Sequence, residues 1–171
     1  MEKKKIFIGI GIFWVLIIGG FIGFKEFTLR TGEEVLLKTL PVDPRDLFRG
    51  DYVILRYDVS RVDTTATTLK ASDVQIWSTV YVVLDISDDR ISSMKDIVRD
   101  KPSAWTFIRG TVKDTYSTTL SVEYGIESYF VPENTGKDIE QNIRDTYVKV
   151  AIDSFGNAVI KWLILNGEDI K

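Results

Sequence analysis

The chain opens on one long apolar run. Ile6 to Phe24 is nineteen residues without a charge, after which the pattern breaks into short apolar stretches cut by polar turns. As a helix, that run would be about 28 Å long at about 1.5 Å per residue, close to the roughly 30 Å of a bilayer's hydrocarbon core. It is longer than the apolar core of a typical signal peptide, and no Ala-x-Ala-like cleavage site follows it. The run predicts an uncleaved signal anchor. Lys3, Lys4 and Lys5 precede it, whereas Lys25 and Arg30 follow it. The positive-inside rule then places residues 1–5 in the cytoplasm, residues 6–24 in the membrane and residues 26–171 outside. Gly19 and Gly23 stand at a small-xxx-small spacing that permits helix self-association.

Beyond the anchor the chain reads as strands. Glu33 to Thr39 and Asp51 to Tyr57 are rich in β-branched and aromatic residues, and alternation places Val53, Leu55 and Tyr57 on one face. Ser60 to Ser72 is polar and Thr-rich, and Asp63 to Lys70 within it looks like a peripheral insertion. Val74 to Ile86 is a long β-rich run. Ile91 to Lys101 fits a short strand or a helical turn, and Trp105 to Lys113 alternates as a strand. Gly125 inside a strand pattern marks a bulge or sharp bend. Asn134 or Thr135 caps a short helix to about Asp145, with Ile139 and Ile143 on its buried side. Tyr147 to Asp153 and Ala158 to Leu165 flank Ser154-Phe155-Gly156-Asn157 as a hairpin. The ending Asn166 to Asp169 is expected to fray. The sum is six to eight strands and one short helix: an all-β extracytoplasmic domain, barrel-like or sandwich-like, behind a single N-terminal transmembrane helix.

Composition narrows the chemistry. The 171 residues include no cysteine and no histidine, so thiol nucleophiles, disulfides and the commonest zinc ligands are absent. Residues 26–171 hold 18 of the 22 Lys and Arg and 24 of the 25 Asp and Glu, a net charge of −6. This balance argues against nucleic acid and against docking onto anionic lipid. No cofactor or metal is expected.

Constraint and charge concentrate at Leu40 to Tyr57. Asp43-Pro44 is a turn starter, Gly50 allows a sharp approach to the strand, and Leu47 and Phe48 are placed to plug the core. Asp43, Asp46 and Asp51 alternate with Arg45 and Arg49, so bidentate Arg–carboxylate bracing is the structural reading. The functional reading has the same groups bind a partner. Calcium ligation fits poorly, because the spacing matches no EF-hand loop and the arginines oppose a divalent ion. Arg49-Gly50-Asp51 has a sufficient backbone role. The resemblance to type I signal peptidases fails for want of a serine before Gly50-Asp51. A second aromatic stretch, Glu123 to Glu133, adds Glu127, Glu133 and, beyond it, Glu140, of which two flanking an aromatic strand could mimic a glycosidase pair. Tyr124, Tyr129, Phe130, Trp105 and Trp162 are candidates for a carbohydrate platform, although such residues are more often core.

Gly50-Asp51-Tyr52-Val53-Ile54-Leu55-Arg56-Tyr57 reads Gly-Asp-Tyr, two residues, Leu, one residue, Tyr. The stretch resembles the signature of the GDYXXLXY family of small bacterial membrane proteins at every defined position. The resemblance implies a membrane-anchored extracytoplasmic domain with a partner in the membrane. It implies no activity.

Two functions of different class follow. One is a non-enzymatic anchored interaction module for an integral membrane partner or envelope ligand, with Asp43, Arg45, Asp46, Arg49, Asp51, Tyr52, Glu127 and Glu133 as the candidate surface. The alternative is a carboxylate-based envelope enzyme acting on glycan.

Overall fold

The computed structural model describes residues 2–40, 52–130, 146–165 and 167–170. Helix α1, Glu2–Thr31, contains the apolar run and continues past it. Its apolar side chains face outward, Phe7 and Phe21 being 74% and 71% exposed. The last turns are held by their own polar groups. Arg30 pairs with Glu26 at 2.6 Å, and the Thr28 and Thr31 hydroxyls donate to the carbonyls of Phe24 and Phe27.

One residue, Gly32, separates α1 from the first strand. Its amide donates to the Thr28 carbonyl at 2.8 Å. A Cβ at this position would stand 2.6 Å from that oxygen and 3.0 Å from the main chain of Ile152. The helix therefore meets the sheet backbone to backbone, which no other residue type permits without displacement.

The strands are β1 (Glu33–Leu40), β2 (Tyr52–Ile54), β3 (Arg56–Tyr57), β4 (Arg61–Asp63), β5 (Thr79–Ile86) and β6 (Ile91–Val98). They continue with β7 (Phe107–Tyr116), β8 (Thr119–Glu123), β9 (Ser128–Phe130), β10 (Thr146–Ile152), β11 (Ala158–Leu165) and β12 (Glu168–Ile170). The main sheet runs β12-β11-β10-β1-β6-β5-β7-β8-β4, with β3 also on β1, and β2 pairs separately with β9. β1 and β6 are parallel, and the other pairs are antiparallel. Three strands separate β7 from β10 in the sheet, yet the Arg109 amide donates to Gly156 O in the β10–β11 turn at 2.9 Å. The sheet thus coils into a barrel-like domain. Alternate residues of its strands, among them Val35, Leu37, Val82, Ile108, Leu120 and Val148, form one core.

Several expectations are corrected. Twelve strands occur among the described residues, not six to eight, because β2, β3, β4, β9 and β12 are only two or three residues long. Ile91 to Lys101 contains a full strand, β6. The Thr-rich segment is no peripheral insertion. Thr64 and Thr67 are buried, and Thr64 Oγ1 donates to Thr118 O at 2.7 Å while accepting from the Ala71 amide. Asp96 fastens its far side through the Thr68 amide and hydroxyl. The C-terminal stretch forms β12 on β11 instead of fraying. The expected helix at residues 134–145 lies outside the described residues.

On the outer face Glu34 of β1 bridges Lys149 of β10 at 2.8 Å and Lys161 of β11 at 2.6 Å. The hydrogen bonds from Lys149 and Lys161 outweigh the desolvation of the carboxylate and lower its pKa to about 2. Its folded value is below the unfolded one, so the stabilisation is present above about pH 4.3 and is lost as pH falls toward the folded value.

Two predictions follow from these contacts. Gly32→Ala should destabilise the domain by about 1–3 kcal/mol through main-chain displacement, read as a lower urea midpoint in detergent; an unchanged midpoint would contradict the close junction. Glu34→Gln should cost about 1 kcal/mol or less at neutral pH, and its deficit should vanish as pH falls from about 4.3 toward the folded value. A deficit independent of pH would mean that the lysine bridges contribute nothing.

Candidate functional site

The signature strand is built into the core. Leu55 and Tyr57 are completely buried. The main chain of β1 and β3 pairs Leu40 with Arg56 and Thr39 with Tyr57, so both flanks of the charged segment are hydrogen-bonded together. Tyr52 opens β2 opposite Phe130 of β9. The two stretches singled out in the sequence, Leu40 to Tyr57 and Glu123 to Glu133, are therefore neighbours in space.

Reciprocal bonds tie them. The Tyr57 hydroxyl donates to Ile126 O, and the Tyr124 hydroxyl donates to Val59 O. Each stretch thus supplies the donor for a buried carbonyl in or beside the other. The Leu55 amide adds a third tie, to Glu127 O at 2.7 Å. Burial pushes both phenols well above their ordinary pKa, and the charge of Glu127 acts in the same direction. They remain neutral donors.

Glu127 has a definite task at this junction. Its carboxylate accepts from the amides of Tyr124 at 2.6 Å and Gly125 at 2.8 Å. Gly125 has φ +79°, the left-handed conformation that turns the chain between β8 and β9. Burial raises the Glu127 pKa, the amides of Tyr124 and Gly125 pull it down, and Glu123 adds repulsion; burial prevails. Glu127 is a turn brace.

Asp43, Arg45, Asp46, Arg49, Asp51 and Glu133 lie outside the described residues, as do Leu47 and Phe48. Of the candidate surface, the structure places the Tyr52 main chain and Glu127 at the two ends of the β2–β9 pair. Among the described side chains the aromatic platform does not assemble; the Phe130 side chain lies outside them. Tyr124 is core, and Tyr129 and Trp162 are half-buried. Trp105 is 56% exposed with Lys95 Nζ 3.4 Å from its ring centroid. Beside it a groove of about 820 Å³ is lined by Leu69, Val83, Val98 and Pro102.

Sequence reasoning missed two further exposed rings that carry a lysine. Lys113 lies 4.2 Å from the centroid of exposed Trp77, and Lys101 lies 4.6 Å from that of exposed Phe155. Their lysines are 36 and 54 residues distant in the chain, which leaves no local signal.

The family model described as GDYXXLXY protein matches residues 14–163. The chain belongs to the GDYXXLXY family. The match starts inside α1 and ends in β11, so it takes in helix and domain together. No curated protein and no solved structure matches the chain. In this GDYXXLXY protein the signature's Leu55 and Tyr57 are structural, one filling the core and the other satisfying a carbonyl.

Tyr57→Phe should leave Ile126 O without its phenol donor and cost about 1–3 kcal/mol. Glu127→Ala should cost a similar amount by freeing two amides. Urea unfolding of the full chain in detergent checks both, and wild-type stability in the two variants would remove the lock.

Proposed function

We propose that this GDYXXLXY protein is a membrane-anchored, non-enzymatic interaction module. In this reading α1 crosses the cell membrane once, with the N-terminus in the cytoplasm and the β domain outside. The charged segment between Leu40 and Tyr52 engages an integral membrane partner or an envelope ligand. The observation that carries the reading is the combination at α1. The helix is long and apolar enough to cross a membrane, the apolar window is 0% buried, and it joins the domain through one residue. The pairing of Leu40 with Arg56 supports the placement of the surface, since it holds the flanks of the segment that carries Asp43, Arg45, Asp46, Arg49 and Asp51. Gly19 and Gly23 supply a flat strip on which a partner helix or a second copy can pack closely.

The carboxylate-enzyme alternative gains nothing from Glu127, whose oxygens are occupied by backbone amides. A general acid or nucleophile needs those oxygens turned toward substrate.

The test is affinity purification of the tagged full-length chain in mild detergent, beside an Arg49→Ala and Asp51→Ala double variant, with mass spectrometry of the co-purifying proteins. The expected result is a stoichiometric membrane protein that is lost with a variant of unchanged melting temperature. The absence of a partner for both forms would sink the protein-partner reading.

A further inference from the structure

The β10–β11 turn reaches back along the helix. Glu33, the first residue of β1, pairs with Ile152, the last of β10, so Asp153 to Asn157 extends beyond the start of the sheet. It lies beside α1: Thr28 is fully buried, and its hydroxyl reaches Asp153 Oδ2 at 3.4 Å. Asp153 locks the turn by accepting from the Phe155 and Asn157 amides and the Asn157 side chain. Thr28 is four residues past Phe24, about 6 Å of helix. The headgroup layer of one leaflet is about 5–8 Å deep. With α1 in the membrane, the turn is held at headgroup depth.

The side chains displayed there suit that layer. Phe155 is 57% exposed and lies under Lys101. Trp105, paired with Lys95, shares a cavity with Thr31, Asp153 and Ser154, and its neighbour Thr106 is bonded to Glu33. On the other side of the turn, Lys25 and Arg109 line a second, polar cavity of about 480 Å³ with Asn157. Most of the nearby acids are engaged: Asp153 in the turn, Glu33 with Thr106, Asp96 with Thr68 and Glu123 with Lys113, while Asp100 lines the groove beside Trp105. The domain is acidic overall, but this rim brings two exposed aromatic rings together with four cations. Aromatic rings and long cations are the residues that settle at a membrane–water interface.

We propose that the rim formed by Phe155 and Trp105 with Lys101, Lys95, Lys25 and Arg109 inserts into the headgroup layer of the bilayer that α1 spans, its rings among the glycerol groups and its cations on lipid phosphates. The inference rests on the reading of α1 as a membrane span. It goes beyond anchoring, because it makes the lipid surface a ligand of the β domain itself.

The chain has no cysteine, so single cysteines can be labelled cleanly. Phe155→Cys, Trp105→Cys, Thr118→Cys in the far β7–β8 turn and Gly20→Cys within α1 are each labelled with an environment-sensitive fluorophore. The full chain is placed in nanodiscs of phosphatidylcholine and phosphatidylglycerol carrying headgroup-level spin-labelled lipid. Quenching at 155 or 105 several-fold above that at 118, in variants that melt like the wild type, is the expected result. Quenching at both positions no greater than at 118, with a Gly20 label quenched by deep spin labels, would overturn the rim while leaving the anchor intact. An unquenched Gly20 label would overturn both.

Discussion

Two buried phenols and the carbonyls they satisfy hold the domain's organisation. A polar backbone group removed from water without a partner costs more than most single contacts return. The chain turns twice inside the core region, after Tyr57 and again at Gly125, and each turn leaves a carbonyl off the sheet ladders. Tyr57 reaches Ile126 O and Tyr124 reaches Val59 O, so each turn depends on the other being in place. The arrangement explains why the signature ends in tyrosine. A phenylalanine fills the same volume and leaves the carbonyl bare.

The other fixed point is the helix–sheet junction. Gly32 lets α1 approach the Ile152 main chain, and Thr28 meets the Asp153 turn on the same side. Asp153 experiences burial, which raises its pKa, against hydrogen bonds from Asn157, Phe155 and Thr28, which lower it; the bonds prevail and the carboxylate stays ionised. The two ends of the domain's construction are thus alike. Each uses a carboxylate, Glu127 or Asp153, to gather amides at a glycine-containing turn.

The parts visible in the sequence are those with a local physical cause. Nineteen apolar residues have few soluble uses, and α1 is where they are. Gly156-Asn157 between two β-branched runs gives the β10–β11 hairpin, and Gly125 gives the bend its φ requires. The rest depended on distance. The phenol bonds join residues 69 and 65 positions apart, and Thr64 finds Thr118 O across 54. A threonine whose hydroxyl is satisfied from so far away looks, in sequence, like one in a loop. Two-residue β3 and three-residue β4 and β12 are too short to show a period. The candidate site divides along the same line. Glu127 is legible as a polar residue beside an aromatic strand, but its brace of Tyr124 and Gly125 depends on the left-handed turn that brings the three together.

The single-residue junction also has a mechanical meaning. A flexible linker would let the domain swivel freely on α1, whereas the close approach at Gly32 and the Thr28–Asp153 contact restrain that motion. Rotation of α1 about its axis bears on the β domain through these two contacts. Successive helix residues are about 100° apart, so the facing direction of the domain is encoded in the register between Phe24 and Thr28, as firmly as the cut of a key sets its angle in the lock.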